Sequence, residues 1–175
     1  MTGRKYLLVG DAPTPQEGAE PAGWILPDGG TLPGKANAVL KMTGFDLETY
    51  LETFERTHVT DWIPVAERPF SPAFARKRAA ALTRELAGGD LRDLEAVLVL
   101  GRRAANAFNW WGERFDGQLG RISSAELDYF LWRSISTGGS KGKRTRVAAA
   151  LLPYPAKLDG HEAGRARDFF AKLAG

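Results

Sequence analysis

Ala96-Val97-Leu98-Val99-Leu100-Gly101-Arg102-Arg103-Ala104-Ala105 is the stretch on which the fold turns. Its apolar run of five is too short for a helix, so it reads as a strand buried on both faces, and Gly101 converts it into a helical segment from Arg102 to Asn109. Strands covered on both faces belong to parallel or mostly parallel sheets flanked by helices. Tyr6-Leu7-Leu8-Val9, stopped by Gly10 and Pro13, has the same character and reads as strand one. Arg56 to Ile63 reads as a second strand ended by Pro64, Tyr129 to Ile135 is aromatic and strand-like, and Arg146 to Leu152 reads as the last strand. Helical segments alternate with these. Lys35 to Met42 lies between Pro33 and Gly44, and Asp46 caps a helix through Thr53. Ser71-Pro72 opens a helix to Leu86 closed by Gly88-Gly89, and Glu162 to Leu173 forms the C-terminal helix. Residues 110–127 read as irregular. The alternation predicts a three-layer α/β/α architecture with a mainly parallel central sheet, built as one domain over residues 1–175.

With 175 residues the chain is long enough to bury one core without metal or disulfide staples. It has 0 cysteines, which excludes disulfides, a thiolate nucleophile and a cysteine-ligated iron–sulfur cluster. The apolar run after Lys5 is too short for a signal segment or a membrane span, so a cytoplasmic protein without membrane contact is the expectation; a monomer is expected as well. A net charge of +3 tilts the chain toward anionic partners without deciding among them.

The span from Asp11 to Gly34 is crowded with proline and glycine and shows no period, the composition of a long loop kept for function. Ligands of open α/β sheets bind where strands end and loops diverge. Gly10-Asp11-Ala12-Pro13, Thr57-His58-Val59-Thr60-Asp61 and Pro153-Tyr154-Pro155-Ala156-Lys157 all fall at such ends. Two basic groups could meet phosphates: Arg76-Lys77-Arg78 on the third helix, and Lys141, Lys143, Arg144 and Arg146 in a Gly/Ser-containing loop before the last strand.

Gly10-Asp11-Ala12-Pro13 with Glu17 resembles the first motif of the uracil-DNA glycosylase superfamily, G-E-A-P-G-x-x-E in its iron–sulfur class. Gly34-Lys35-Ala36-Asn37-Ala38-Val39-Leu40 is similar to the family's glycine-led helix, and Thr57-His58-Val59 falls where it carries Thr-Asn-Val. Val99-Leu100-Gly101-Arg102-Arg103-Ala104 is similar to its strand–Gly–helix segment, and Tyr154-Pro155-Ala156 stands at its His-Pro-Ser or His-Pro-Ala. The order and spacing agree from Tyr6 to the last helix.

The resemblance implies a uracil-DNA glycosylase-like fold, a DNA partner that is single-stranded or has an extruded base, and hydrolysis of an N-glycosidic bond. It carries roles residue by residue. Asp11 positions water or steadies the sugar cation, and Tyr154 steadies the departing base. Ala12 and Pro13 line the base pocket. The base-stacking aromatic falls near Leu32, with Trp24 the nearest aromatic in the same loop. His58 replaces the base-reading asparagine; a neutral imidazole carries its donor and acceptor on different ring edges, which implies an altered base. Lys157 lies toward the DNA, and Leu158 is the side chain wedged into the duplex. The cluster of the iron–sulfur class has no cysteine ligands here, so neither cofactor nor metal is expected.

Local readings stand beside these. Asp11 equally suits an aspartate that folds its own Pro-rich turn, His58 a core histidine, and Tyr154 a rigid turn between prolines. Three functions stay open: a glycosylase, a base-modifying or nucleotide-processing enzyme on the same fold, and a nucleobase-binding module without turnover.

Overall fold

Along strand β1 (Tyr6–Gly10), Tyr6 and Leu8 enter one apolar cluster while Leu7 and Val9 enter another, as the two-residue period of a strand requires. The computed structural model describes residues 5–13, 34–108, 129–137, 145–153, 158 and 160–175. After β1 come α1 (Gly34–Thr43), α2 (Leu47–Thr53), β2 (Phe54–His58), α3 (Pro72–Gly88), β3 (Ala96–Leu100), α4 (Gly101–Ala107), β4 (Trp132–Thr137), β5 (Thr145–Leu152) and α5 (Gly160–Ala174). The sheet has five strands in the order β2-β1-β3-β5-β4. All neighbours are parallel except β4, which runs antiparallel to β5 at the edge.

One face of the sheet is covered by α1, α2 and α5 through Val39, Met42, Tyr50, Phe169 and Phe170. The other is covered by α3 and α4, whose buried alanines Ala75, Ala79, Ala104 and Ala105 are small enough to bring both helices close to the strands. The result is an α/β fold with a mostly parallel sheet flanked by helices, as the alternation of elements predicted.

Local chemistry explains several boundaries. The Asp46 carboxylate accepts the Thr49 amide at 2.7 Å, which starts α2 and holds the carboxyl below its ordinary range. Ser71 Oγ accepts the Phe74 amide at 3.2 Å with Pro72 at the first helical position of α3. Replacing Ser71 with Ala orphans that amide and is expected to cost about 1 kcal/mol in a denaturation midpoint experiment, with the slope unchanged. Gly101 has φ +78°, which lets β3 pass into α4 without an intervening loop.

Two strands differ from their sequence reading. β2 begins earlier, at Phe54, and ends at His58 rather than Ile63. Its partner β1 stops at Gly10, so only the Val59 and Thr60 amides continue the pairing, to the carbonyls of Gly10 and Asp11 at 3.0 and 3.1 Å. The β-branched run promises more strand than the neighbour can pair. β4 begins later, at Trp132, because Tyr129 and Phe130 form a turn in which Phe130 takes φ 60°. That conformation costs a bulky residue about 1–3 kcal/mol and needs support from its surroundings. Support comes from the Phe130 amide on the Leu151 carbonyl at 2.9 Å, the Phe169 ring 5.7 Å from the Phe130 ring, and Arg165, which binds the Tyr129 carbonyl and lies over Phe130.

Candidate functional site at the carboxyl edge of the sheet

From β1 the chain crosses to β2 on one side, then returns to build β3 on the other. Loops therefore diverge between the carboxyl ends of β1 and β3, the place where open α/β sheets hold their ligands. Asp11 leaves β1 at this point and His58 ends the adjacent strand, paired in register with Gly10. Both are buried, with 8% and 1% of their surfaces exposed, so polar groups have been drawn into an otherwise apolar edge. Ala12 and Pro13 are buried beside them.

Several bonds fix this arrangement. The Asp11 carbonyl accepts the Thr60 amide at 3.1 Å, and Asp11 Oδ1 accepts the Ala12 amide at 2.9 Å. Arg78 reaches across from α3, donating through Nε to the His58 carbonyl at 2.7 Å and through Nη2 to Thr57 Oγ1 at 3.2 Å. The end of β2 is thereby clamped to β1 on one side and to α3 on the other. One member of the basic group singled out as a phosphate contact thus serves the protein's own backbone.

Sequence reasoning gave Thr60 no role beyond its place in the strand-end segment Thr57-His58-Val59-Thr60-Asp61. Its side chain is fully buried, and its hydroxyl makes no hydrogen bond among the described residues. A buried, unsatisfied hydroxyl costs about 1–3 kcal/mol. Thr60→Val keeps the shape and removes that cost, so it is expected to raise stability by up to about 1 kcal/mol while weakening any ligand that uses the hydroxyl. Thermal melts with and without oligonucleotide separate the two effects.

Tyr129 is a further polar group at the same end of the sheet, half-buried and packed against both apolar clusters. Burial raises the pKa of its phenol, Arg102 opposes the shift and Glu162 adds to it. Its local sequence offers no signal, because its place depends on the turn before β4.

Pro153 is buried at the end of β5 on the same edge. Tyr154, Lys157, Trp24, Leu32, Lys141, Lys143 and Arg144 lie outside the described residues. The Arg146 backbone pairs with Ser136 within β5 and β4. Leu158 is half-buried, packs against the α1/α5 cluster and lines a hollow of about 420 Å³ together with Met42 and Ala163. Asp61, a second carboxylate near the end of β2, is exposed.

Among the described residues no three His, Asp or Glu side chains gather to hold a metal. With 0 cysteines, the chain does not fit an iron–sulfur cluster. No described helix is long and apolar enough to cross a membrane. Comparison of the chain with protein-family models and with curated proteins finds no match.

Proposed function

We propose that the carboxyl ends of β1 and β2 line a crevice that binds a nucleobase, and that the chain is a DNA glycosylase-like hydrolase of the uracil-DNA glycosylase type. The observation that carries this reading is the juxtaposition of buried Asp11, where loops diverge from the end of β1, with buried His58 at the end of the adjacent β2. The serial resemblance of motifs supports it. The bound base is extruded from a duplex or presented by a single strand.

Breaking an N-glycosidic bond builds positive charge on the sugar and negative charge on the base. Asp11 would stabilise the first and orient the attacking water. His58 would offer the base edge a single donor or a single acceptor, since its two ring nitrogens point apart, and the Thr60 hydroxyl would add a further hydrogen bond. Tyr154, two residues beyond the end of β5, would donate to the departing base, and Trp24 would stack on it. A phenol steadies a developing anion by hydrogen bonding without a full positive charge, which suits a base that leaves more readily than uracil.

Replacement of two of the family's polar residues, by His58 and Tyr154, favours as second reading a module that binds a base without cleaving it. A base-modifying or nucleotide-processing reaction would use the same crevice. Incubation with oligonucleotides that differ only in one central normal or modified base, followed by mass spectrometry, decides among them. A glycosylase leaves an abasic site, a modifying enzyme a changed base mass, and a binder an unchanged oligonucleotide. Release of uracil as fast as from a dedicated uracil glycosylase would contradict an altered pocket.

A further inference from the structure

The loop that leaves β2 beside Asp11 is built around a guanidinium laid on an indole. Arg68 Cζ lies 4.1 Å from the centre of the Trp62 ring. Trp62 is itself fixed, donating Nε1–H to the Pro69 carbonyl at 3.4 Å and meeting the edge of Phe74 at 4.7 Å between ring centres. Val65 and Arg68 exchange backbone hydrogen bonds, both at 3.1 Å, which sets the backbone that carries Arg68. Arg103, in the first turn of α4, lies 5.2 Å from the ring centre of Phe70, just beyond Arg68 on the same loop. Residues separated by the whole of α3 and of β3 thus bring two guanidinium groups to one loop.

Both side chains are exposed, and neither guanidinium donates a hydrogen bond to a described residue. A ring beneath a guanidinium occupies its face and leaves its N–H groups free in the plane, aimed outward. Such a fork matches the two oxygens of a phosphodiester, and little rotamer freedom remains to be lost on binding. Charge is divided along the strand direction as well. Exposed Asp90, Asp93 and Glu95 outnumber exposed Lys5 and Arg92 at the amino edge before β1 and β3, whereas exposed Arg76 and Lys77 join the arginine pair at the carboxyl edge, against Asp61 and Glu67 as the exposed carboxylates on that loop.

We propose that Arg68 and Arg103 grip the sugar–phosphate backbone of a polynucleotide as it crosses the carboxyl edge beside Asp11 and His58. This rests on the nucleobase reading of the crevice and adds to it the face along which the strand travels. The bond from the Thr60 amide to the Asp11 carbonyl joins the gripping loop directly to the candidate base pocket.

The test uses a fluorescent single-stranded oligomer of abasic deoxyribose phosphates and a short duplex, titrated by anisotropy over a range of salt. Loss of two phosphate contacts on a single strand lowers the slope of log affinity against log salt by about 1.4. The Arg68→Gln/Arg103→Gln double variant is therefore expected to bind the abasic strand roughly tenfold more weakly at 0.1 M salt, with that smaller slope. The duplex arm is expected to fall in parallel. Arg68→Lys/Arg103→Lys is expected to restore the slope and only part of the affinity, since charge returns without the planar fork. Arg92→Gln, at the opposite edge, is expected to bind as the parent does. Failure of the parent to bind either probe, equal binding by the Gln double variant, or an equal loss in Arg92→Gln would each overturn the proposal. Because the probe has no bases, binding that depends on the arginines would stand even if no base in the mass-spectrometric panel were released. Release of a base together with equal binding of the abasic strand by the parent and the Gln double variant would refute the grip alone.

Discussion

Asp11→Asn is expected to lower single-turnover base release by about 10²- to 10⁴-fold, the range seen when a positioned acid or base is removed. Affinity for the same oligonucleotide is expected to change by less than about threefold, because the change removes one negative charge and almost no volume. The fold should tolerate the substitution. An asparagine oxygen can still accept the Ala12 amide that Asp11 Oδ1 accepts at 2.9 Å, and the bond between the Thr60 amide and the Asp11 carbonyl is made by backbone. A large loss of turnover with an unshifted melting temperature therefore assigns the carboxylate to chemistry. Loss of both, or loss of neither, would return Asp11 to the role of a residue that folds its own turn.

The largest expected effect on stability lies at Phe54. This residue closes α2 through its amide on the Tyr50 carbonyl, opens β2 opposite Tyr6, and is fully buried. Its ring stacks on Phe45 at 6.0 Å, tilts against Tyr50 at 5.3 Å and meets Phe170 edge-on at 6.4 Å. Truncation would open a cavity where two helices and the sheet meet, and rings held by so many neighbours collapse poorly into such a space. Phe54→Ala is thus expected to cost about 3–5 kcal/mol in a urea or guanidinium titration, against less than about 1.5 kcal/mol for Phe54→Leu with repacking. A cost near 1 kcal/mol for the alanine variant would mean that this cluster does not anchor α2 and β2 as described.

How far the sequence foretells the molecule depends on whether the deciding interaction is local. Ala96–Leu100 and its conversion into α4 at Gly101 were legible because five apolar residues and one glycine suffice to specify them. Asp46 and Ser71 were legible for the same reason, since a cap acts within three residues of itself. The end of β2 and the start of β4 were not. The first is set by where β1 stops, the second by a strained Phe130 that Arg165 and Phe169 hold from a distant helix.

The candidate site divides in the same way. Asp11 and His58 were singled out because their segments lie near strand ends and resemble the family's motifs, and the structure places one just past the end of β1 and the other at the end of the adjacent β2. Thr60 looks like one more β-branched residue in a strand, and only burial distinguishes it. Arg78 sits within a basic triplet that suggested phosphates, yet its guanidinium closes on the end of β2, a contact that no local pattern encodes. The stacking of Arg68 on Trp62 is hidden likewise, because it depends on the path of the loop between them.

The chain has 2 histidines, His58 buried at the end of β2 and His161 exposed at the start of α5, so ¹³C-labelled histidine gives a spectrum with its own internal control. Titration would compare oligonucleotides that carry a base at the central position with one that is abasic there. The His58 signal is expected to shift saturably with the base-containing strand, at the dissociation constant found by anisotropy, and to stay in place with the abasic strand, while His161 responds equally to both. Tight binding of a base-containing strand with the His58 signal unmoved, or moved equally by the abasic strand, would contradict a nucleobase pocket at the ends of β1 and β2.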